Sequence, residues 1–445
     1  MSTFKRAFDS MRHYPSAIAG LIIIGLLVAV SIYAVVSIPY SEAINLWSSQ
    51  AEWSDTPRLA RPAWFNLFRS QKLPGTTVVR TSDFSETVAP LTDTTSKITT
   101  VLSFDYEYEL FPEEVNVFFT SEFSELKPQV TLTWIYPDGK EVRLFREPIG
   151  TDQRFSVSQD GQLSRTKLNG LSAHVGLFSD PFSDEPTVIP GTYQLRIDVM
   201  SFEPGTTVDA RLVVYGSVHG VAGTDHRRRD LMIALLWGTP IALMFGLFAA
   251  VGSTLITFSI AAIGAWYGGW LDALIQRITE VNLQLPVLPI LIMVGTFYSR
   301  SIWLILGVII VLNIFSAGIK TYRAMFLQVK NSPFIEAARA YGASDMRIVF
   351  RYLIPKIAPV LVPNFVTLIP NFVFLEASLA VLGLGDPILP TWGKILDDAY
   401  KGGALYRGDY YWILQPAILL LFTGLAFAML GFALDRIFNP RLRGV

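Results

Sequence analysis

Residues 332–359 read SPFIEAARAYGASDMRIVFRYLIPKIAP, and this stretch decides how the whole chain is interpreted. Its first part, EAARA, consists of strong helix formers, and Gly342 interrupts the run in the manner of a C-terminal cap. Ser344 and Asp345 are typical of the start of another helix, where we expect their side chains to cap free amide groups. The pattern therefore predicts two short helices joined at an angle.

We call residues 327–357 the elbow. The segment is too rich in charged side chains to lie in lipid. Pro355 and Pro359 are expected to end its second helix, because proline lacks the amide hydrogen that a helix interior uses. Small residues give the first helix a face that suits another protein's groove, namely Ala337, Ala338 and Ala340. The alternative is an ordinary amphipathic loop helix.

Long apolar runs flank the elbow on both sides. About 20 apolar residues are needed to cross the hydrocarbon core, and we predict six such spans. They are residues 15–38, 232–267, 271–298, 302–326, 358–384 and 411–437. Basic residues favour the cytoplasmic side, so Lys5, Arg6 and Arg12 predict a cytoplasmic N-terminus. Six spans return the tail, with Arg441 and Arg443, to that side and place the elbow in the cytoplasm.

Residues 39–225 have a different texture, with short alternating runs separated by turn signals. We predict strands at residues 115–119, 129–136, 141–145, 192–199 and 208–216. The PDGK sequence at 137–140 predicts a tight hairpin, since Asp-Gly supplies the positive φ that such turns need. A helix is expected near residues 41–54. Several short strands without helical crossovers indicate a β-sandwich, inserted between the first two spans and facing the outside of the cell.

The composition excludes several functions. The chain of 445 residues is 51% hydrophobic and 16% charged, as expected of a membrane protein. Its 36 basic and 37 acidic side chains leave a net charge of −1, which disfavours nucleic-acid binding. There is no cysteine, and four histidines lack metal-ligand spacing, so we predict no metal site. They are His13, His174, His219 and His226. No G-x-x-x-x-G-K-[ST] string occurs, so the chain is not expected to be an ATPase.

At the elbow the sequence resembles the inner-membrane permease subunits of ABC importers. Their signature is EAA, a glycine four residues after the last alanine, and an apolar-Leu/Ile-Pro ending. It stands here as Glu336, Ala337, Ala338, Gly342, Ile354 and Pro355. The resemblance implies the six-helix fold of type I importer permeases, in which the elbow is a coupling helix that docks on an ATPase subunit. These residues and Ala343 are therefore the expected docking site.

A narrower resemblance covers the second half of the chain. Four segments are similar to the C-type subunits of dipeptide, oligopeptide and nickel importers: GTDHRRRDL at 223–231, YGGWLDALIQRITEV at 267–281, EASLAVLGLG at 376–385 and PTWGKIL at 390–396. The sequence departs at Arg228, where the family usually has glycine. It departs also in the inserted region, which ordinary members lack or replace by a short loop. The expected organisation is residues 1–38 with the first span, a β-rich domain at 39–225, and a permease core at 226–445.

Four residues are candidates for the pore or its gate: Glu376, Asn371, Pro286 and Trp392. An ionisable group within a span is costly and usually faces the bundle or a cavity, so Glu376 with Asn371 is either pore-lining or structural. A carboxyl near the interface, hydrogen-bonded to backbone, is an equal alternative. Pro286 and Pro289 are expected to bend the third span. Trp392 begins an external gate helix within residues 389–400, or is an interfacial anchor.

The predicted function is that of a permease subunit in the cell membrane, forming half of the translocation pathway of an ATP-driven importer. The resemblance implies a second homologous permease, one or two ABC ATPases that carry ATP and magnesium, and an extracytoplasmic solute-binding protein. This chain itself is expected to bind no cofactor. Peptide is the first choice of substrate, followed by oligosaccharide or nickel. A membrane receptor or sensor and a secondary transporter are the alternatives, and neither needs an ATPase. The inserted domain docks the binding protein, contacts the partner permease or acts as a spacer.

Overall fold

The computed structural model describes residues 14–49, 51–92 and 94–438. The chain divides into two compact units, Met1–Ser48 with Ile233–Val445, and Ser49–Met232. We call them the membrane unit and the β unit. Six basic residues or histidines used in the sequence-based predictions lie outside the described residues: Lys5, Arg6, Arg12, His13, Arg441 and Arg443.

The regular elements are as follows. The α-helices are α1 (Pro15–Ser37), α2 (Tyr40–Ser48), α3 (Gly161–Lys167), α4 (Ala173–Gly176), α5 (Leu231–Tyr267), α6 (Gly269–Asn282), α7 (Val287–Phe297), α8 (Ile302–Ile314), α9 (Ala317–Lys330), α10 (Pro333–Ala340), α11 (Asp345–Ile348), α12 (Ile354–Ile357), α13 (Leu361–Leu379), α14 (Trp392–Lys401), α15 (Ala404–Arg407) and α16 (Tyr410–Phe438). The strands are β1 (Thr77–Arg80), β2 (Thr87–Pro90), β3 (Ser96–Tyr106), β4 (Glu114–Glu122), β5 (Gln129–Ile135), β6 (Glu141–Pro148), β7 (Asp152–Ser156), β8 (Gly191–Ser201) and β9 (Thr207–Tyr215).

Several helical segments are long and apolar enough to cross a membrane. Within the described residues there are 4 of them: Pro15–Ser37, Leu231–Tyr267, Asp345–Leu384 and Tyr410–Ile437. Two bent pairs also pass this test, α6 with α7 at 76° and α8 with α9 at 46°. The described part of the chain therefore holds 4 candidate spans, or up to 6 if each bent pair crosses once.

The third and fourth predicted spans are broken rather than continuous. The bend predicted at Pro286 is confirmed, since this residue takes an extended conformation (φ −77°, ψ 103°) directly before α7. Pro289 does not bend the chain, because it lies in the first turn of α7, where a missing amide hydrogen leaves no helical bond unmade. The break between α8 and α9 comes from Phe315 and Ser316, which leave helical geometry. No proline signals it in the sequence, and the nearby Gly318 lies inside α9.

Helix α1 packs on α16 through its smallest residues. Its buried residues are Ala17, Gly20, Leu27 and Ala34. A Cβ atom added at Gly20 would lie 2.6 Å from the carbonyl oxygen of Ala426. Small side chains at this spacing let two helical backbones approach closely, which is how apolar helices associate within lipid.

The β unit is a sandwich of two antiparallel sheets. One sheet has the strand order β1-β9-β4-β7 and the other β2-β3-β8-β5-β6. Both contribute inward-facing residues to one hydrophobic core, among them Val117, Leu212, Leu132, Trp134 and Leu195. The Trp134 indole donates a hydrogen bond to the carbonyl of Leu177 at 2.9 Å, so its polar atom is satisfied inside the core.

All five predicted strands are confirmed as β4, β5, β6, β8 and β9, each beginning within one residue of its predicted start. The predicted hairpin is confirmed as well, with Gly139 at φ 83° and the Tyr136 amide donating to the Lys140 carbonyl at 2.9 Å. The helix predicted at residues 41–54 is shorter, because α2 ends at Ser48. The sequence-based predictions missed the strands β1, β2, β3 and β7. They also missed the helices α3 and α4, which lie between β7 and β8.

Candidate functional site

The elbow turns sharply at a glycine, as the sequence predicts. Helix α10 ends at Ala340, and Gly342 then takes φ 76°. The Gly342 amide donates to the Arg339 carbonyl at 2.8 Å, and the Ala343 amide donates to the Ala338 carbonyl at 3.1 Å. These two bonds make a Schellman motif, which satisfies helix carbonyls that would otherwise be left open. The direction of the turn is therefore set by the backbone.

The second helix of the elbow begins at Asp345, but its predicted side-chain cap is absent. The Ser344 side chain makes no capping hydrogen bond, although its carbonyl accepts the Ile348 amide at 2.9 Å. The negative charge of Asp345 in the first turn interacts favourably with the helix dipole instead.

The prediction that Pro355 and Pro359 end this helix is wrong. Helical structure continues from Asp345 to Leu384 over 40 residues, so the fifth span begins before its predicted start at 358. A π-helical turn at Val349–Leu353 precedes Pro355, and the Ile354 amide donates to the Val349 carbonyl. The widened turn accommodates a proline that would disturb a regular helix at its i−4 carbonyl. Pro359 lies in the 3-10 turn Ala358–Val360.

The elbow has a buried face and an exposed face. Ile335 and Ala338 are buried in a cluster with Ile348, Val349 and Leu353. Ala338 therefore does not belong to the exposed small-residue face that the sequence predicts; Ala337 and Ala340 do. Glu336 and Gly342 are exposed, Ala343 and Ile354 are half-buried, and Pro355 is exposed.

An aromatic side chain stands out on the exposed face. Tyr341 is 93% exposed, and Phe334 and Met346 nearby are also exposed. A monomeric surface rarely places large apolar groups together in this way without a partner. Sequence reasoning missed Tyr341, although its position between EAARA and Gly342 at a tight turn was a signal that it would point away from both helices.

Two cations fix the elbow to the end of α5. The Lys330 ammonium donates to the carbonyls of Ala265 and Trp266, at 2.9 and 2.6 Å. The Arg339 guanidinium lies over the Trp266 ring, 4.5 Å from its centroid. A cation at a helix C-terminus satisfies carbonyls that the helix leaves open. The elbow is therefore held rigidly against the membrane unit, a feature that the sequence did not reveal.

Helix α14, the candidate gate, is packed deeply within the membrane unit. Trp392 is 1% exposed, and its indole donates to the Leu235 carbonyl of α5 at 3.0 Å. A Cβ atom at Gly238 would lie 2.3 Å from this ring. The alternative of an interfacial anchor is wrong, because such tryptophans lie at the protein surface in contact with lipid headgroups.

The other gate candidates are not brought together. Glu376 on α13 is buried and lies within hydrogen-bonding reach of Thr391, directly before α14. Asn371 is exposed, and so is Pro286, which directly precedes α7. The Asn313 side chain bonds within its own helix, to the Ile309 carbonyl at 2.9 Å. The predicted pair of Arg277 and Glu280 is confirmed at 3.5 Å on the surface.

Charged side chains of α14 neutralise one another. The Lys394 ammonium lies 3.0 Å from Asp397 and 2.9 Å from Asp398. Lys401 adds a contact of 2.8 Å to Asp397. Both aspartates are buried, so paired cations are what make their charges tolerable there. The helix is consequently amphipathic without presenting a free charge at this cluster.

The segment before α5 belongs to the β unit and contains a cluster of buried polar side chains that bond to one another and to nearby backbone. Asp225 is fully buried and forms an ion pair with Arg229 at 2.5 Å. Its carboxylate also accepts the backbone amides of Arg227 and Arg229, at 2.8 and 3.0 Å. Thr224 donates to the Pro57 carbonyl at 2.7 Å and accepts the Ala60 amide. These residues therefore have a structural role.

Comparisons with known proteins address the helical half of the chain. The family model for binding-protein-dependent transport system inner membrane components matches residues 243–444. The glutathione transport system permease protein GsiD of Escherichia coli O6:K15:H31 (strain 536 / UPEC) is 33% identical over 225 residues, covering 50% of this chain and 72% of that protein. The dipeptide transport system permease protein DppC of Alkalihalophilus pseudofirmus is 30% identical over 224 residues, with the same coverage.

The matched region contains the elbow, the long rod that follows it and the deeply packed α14. The chain belongs to the family of binding-protein-dependent transport system inner membrane components. Within that family it is a permease subunit of an ABC importer, and it is a transporter subunit rather than an enzyme.

Proposed function

We propose that this chain forms half of a translocation pathway for peptides and that its elbow docks on an ABC ATPase. The exposed Tyr341, next to Glu336 and Ala337 on a rigidly anchored helix, is the observation that carries this proposal. An aromatic group on a fixed helix end is suited to a partner's groove, because little conformational entropy is lost when it binds. Gly342, Ala343, Ile354 and Pro355 then set the direction in which that helix projects.

The proposed topology has six spans. Each bent pair, α6 with α7 and α8 with α9, crosses the membrane once in addition to the four longer segments. With a cytoplasmic N-terminus, this count places the β unit outside the cell and the elbow inside. The excess of basic residues near the elbow supports that orientation.

Peptide is the proposed substrate class because two relatives are named for glutathione and dipeptide transport. Oligosaccharide and nickel are the other candidates.

The proposed assembly contains a second homologous permease, one or two ATPases that bind ATP and magnesium, and an external solute-binding protein. The β unit is proposed to dock that binding protein or to contact the second permease. Helix α14 is the proposed gate. Trp392 positions it against α5, and Glu376 contacts Thr391, the residue directly before the helix.

The docking proposal is tested at Tyr341 with a matched control. Tyr406 is equally exposed at 93%, but it lies in the short helix α15 away from the elbow. We expect Tyr341→Ala, alone and with Glu336→Lys, to weaken co-purification of the ATPase and to reduce ATP-dependent peptide uptake in proteoliposomes. Tyr406→Ala is expected to leave both unchanged. Full ATPase association by the Tyr341→Ala, Glu336→Lys double variant would contradict the proposal, as would a chain that purifies with no ATPase at all.

The topology is tested with single cysteines, because the chain has none of its own. Glu185 in the β unit and Asn331 at the start of the elbow are both exposed. In cells whose outer barrier is permeable, a membrane-impermeant thiol reagent is expected to label Glu185→Cys at once. It should label Asn331→Cys only after the membrane is opened. The reverse pattern, or labelling of both in sealed membranes, would contradict the orientation.

A further inference from the structure

The membrane unit contains a polar cavity of about 300 Å³ at the break between α8 and α9. Its polar lining includes residues of four helices: Ser253, Thr254 and Thr257 of α5, Asn313 of α8, Tyr322 of α9 and Asn364 of α13. None of the described residues that line it is charged. Such a concentration of neutral hydrogen-bonding groups within membrane-spanning helices is costly unless the groups have partners.

Most of these groups find partners within the protein. Ser253 donates to the Ala249 carbonyl at 2.6 Å, and Thr257 donates to the Ile314 carbonyl at 2.8 Å. The Asn364 amide donates to the Tyr322 hydroxyl at 3.0 Å. Local bonds of this kind explain how the helices tolerate polar side chains. Each of these hydroxyl and amide groups can still form a further hydrogen bond, as donor or acceptor.

Thr254 is the exception among the lining residues. It is only 4% exposed, and its hydroxyl has no hydrogen-bond partner among the described residues. An unsatisfied buried hydroxyl is destabilising, so a valine of the same shape would serve packing alone better. Thr254 therefore contributes to the cavity wall a hydroxyl whose hydrogen-bonding capacity the described residues leave unused.

The interrupted backbone beside the cavity is a second indication that this place has a function. Phe315 and Ser316 are non-helical between two membrane helices. Non-helical backbone at membrane depth is tolerated where it is buried in protein or lines a polar cavity. The break and the unpaired hydroxyl are independent observations at the same place.

We propose that this cavity binds the neutral backbone amide groups of the transported peptide during its passage; the inference rests on the peptide-importer function proposed above. Hydroxyl and carboxamide groups both donate and accept hydrogen bonds, as peptide N–H and C=O groups do. Every peptide carries these groups, so the site recognises the backbone without selecting side chains. Because it offers no charge, it releases the peptide readily.

The first test measures access and protection in the assembled transporter. Thr254→Cys is compared with Thr423→Cys, since Thr423 is also buried, lies on α16 and donates within its own helix to Leu419. A small polar methanethiosulfonate reagent is expected to modify Thr254→Cys, and saturating trialanine is expected to slow that reaction. Thr423→Cys should stay unmodified. Thr254→Cys as unreactive as the control, or reactive at the same rate with trialanine, would overturn the proposal.

The second test measures transport by the same complex in proteoliposomes. Thr254→Val is expected to raise the KM for trialanine about tenfold, which corresponds to one lost hydrogen bond at the usual conversion. Subunit association should stay at the wild-type level, and Thr254→Ser, which keeps the hydroxyl, should restore the KM. A wild-type KM in Thr254→Val would refute the cavity site alone. Absence of trialanine uptake by the wild-type complex would instead refute the peptide-importer proposal.

Discussion

Arg228 forms an ion pair with Glu114, the first residue of β4 and 114 positions earlier in the chain. The Arg228 guanidinium also donates to the Thr56 carbonyl at 2.9 Å and lies 4.3 Å from the centroid of the Tyr215 ring. Its backbone takes φ 70°, a conformation that favours glycine. The Arg228 side chain thus links β4 and β9 to the segment before α5.

We expect Arg228→Gly to loosen the β unit. Glycine relieves the strained backbone, but it removes the hydrogen bonds to Glu114 and Thr56 and leaves Arg154 as the cation beside Glu114, a net loss of about 2 kcal/mol. Hydrogen exchange of the full chain in detergent measures this as faster opening of β4 and β9. Arg227→Gly is the matched control, because the neighbouring arginine is exposed. Equal exchange in both variants would show that the Arg228 contacts contribute nothing.

The same pair predicts a dependence of stability on pH. Burial alone would raise the pKa of Glu114, but the hydrogen bond from Asn116 and the charges of Arg228 and Arg154 outweigh it and lower the pKa below 4.5. A lowered folded-state pKa contributes stability that is fully present above the unfolded value and is lost as the pH falls through the folded value. We therefore expect the β unit to weaken below about pH 4.5, with a flatter profile in Glu114→Gln.

Proteolysis of the full chain at a series of pH values measures that profile. Glu109, an exposed carboxylate of the same unit, provides a control in Glu109→Gln. The prediction fails if Glu114→Gln and Glu109→Gln lose protection in parallel with the wild type.

Gly238 is expected to admit no larger residue. A Cβ there would lie 2.3 Å from Trp392, so Gly238→Ala must displace the indole from the Leu235 carbonyl. Overpacking of this kind costs about 1–3 kcal/mol. Gly25→Ala on α1 is the control, because nothing lies within 4 Å of its added Cβ. The thermal midpoint in detergent should fall for Gly238→Ala and stay level or rise for Gly25→Ala; equal midpoints would contradict the packing described.

At position 342, the backbone conformation alone is expected to determine which residues can replace the glycine. Its φ of 76° is open to asparagine but strained for valine, by about 1–2 kcal/mol, and no atom lies within 4 Å of an added Cβ. Gly342→Val should therefore reduce ATPase association while Gly342→Asn retains it. Co-purification measures the difference, and equal losses in both would indicate that side-chain volume matters instead of the turn.

Much of the architecture could be predicted from the sequence because it depends on local signals. The hairpin at Gly139, the turn at Gly342 and the bend at Pro286 each follow from one residue's backbone preference. The strands β1 and β2 were missed because each has only four residues and β2 is exposed along its length. The break at Ser316 was missed because strongly apolar residues precede it and Gly318 lies two positions beyond it, inside α9.

The contacts of the candidate site depend on partners distant in the chain. Lys330 and Arg339 looked like surface cations of a charged loop, yet they lie against Trp266 in the folded protein. Trp392 could belong to a gate helix or be an interfacial anchor by its sequence, and only the space beside Gly238 shows that it lies in the interior. Ala338 and Ala337 are indistinguishable in sequence, and only the packing of Ile335 and Ile348 decides which of the two is covered.

The helical run from Asp345 to Leu384, which leaves helical geometry only at Gly383 near its end, has a mechanical consequence. Its 40 residues form a rod roughly 60 Å long, so a tilt of about 1° about one end moves the other by roughly 1 Å. Near its far end the rod touches α14, where a Cβ at Gly393 would lie only 2.6 Å from that of Ala380. A displacement of the elbow end of this segment would thus be passed to α14 through the helical turns between them, including the π-helical turn Val349–Leu353 and the 3-10 turn Ala358–Val360.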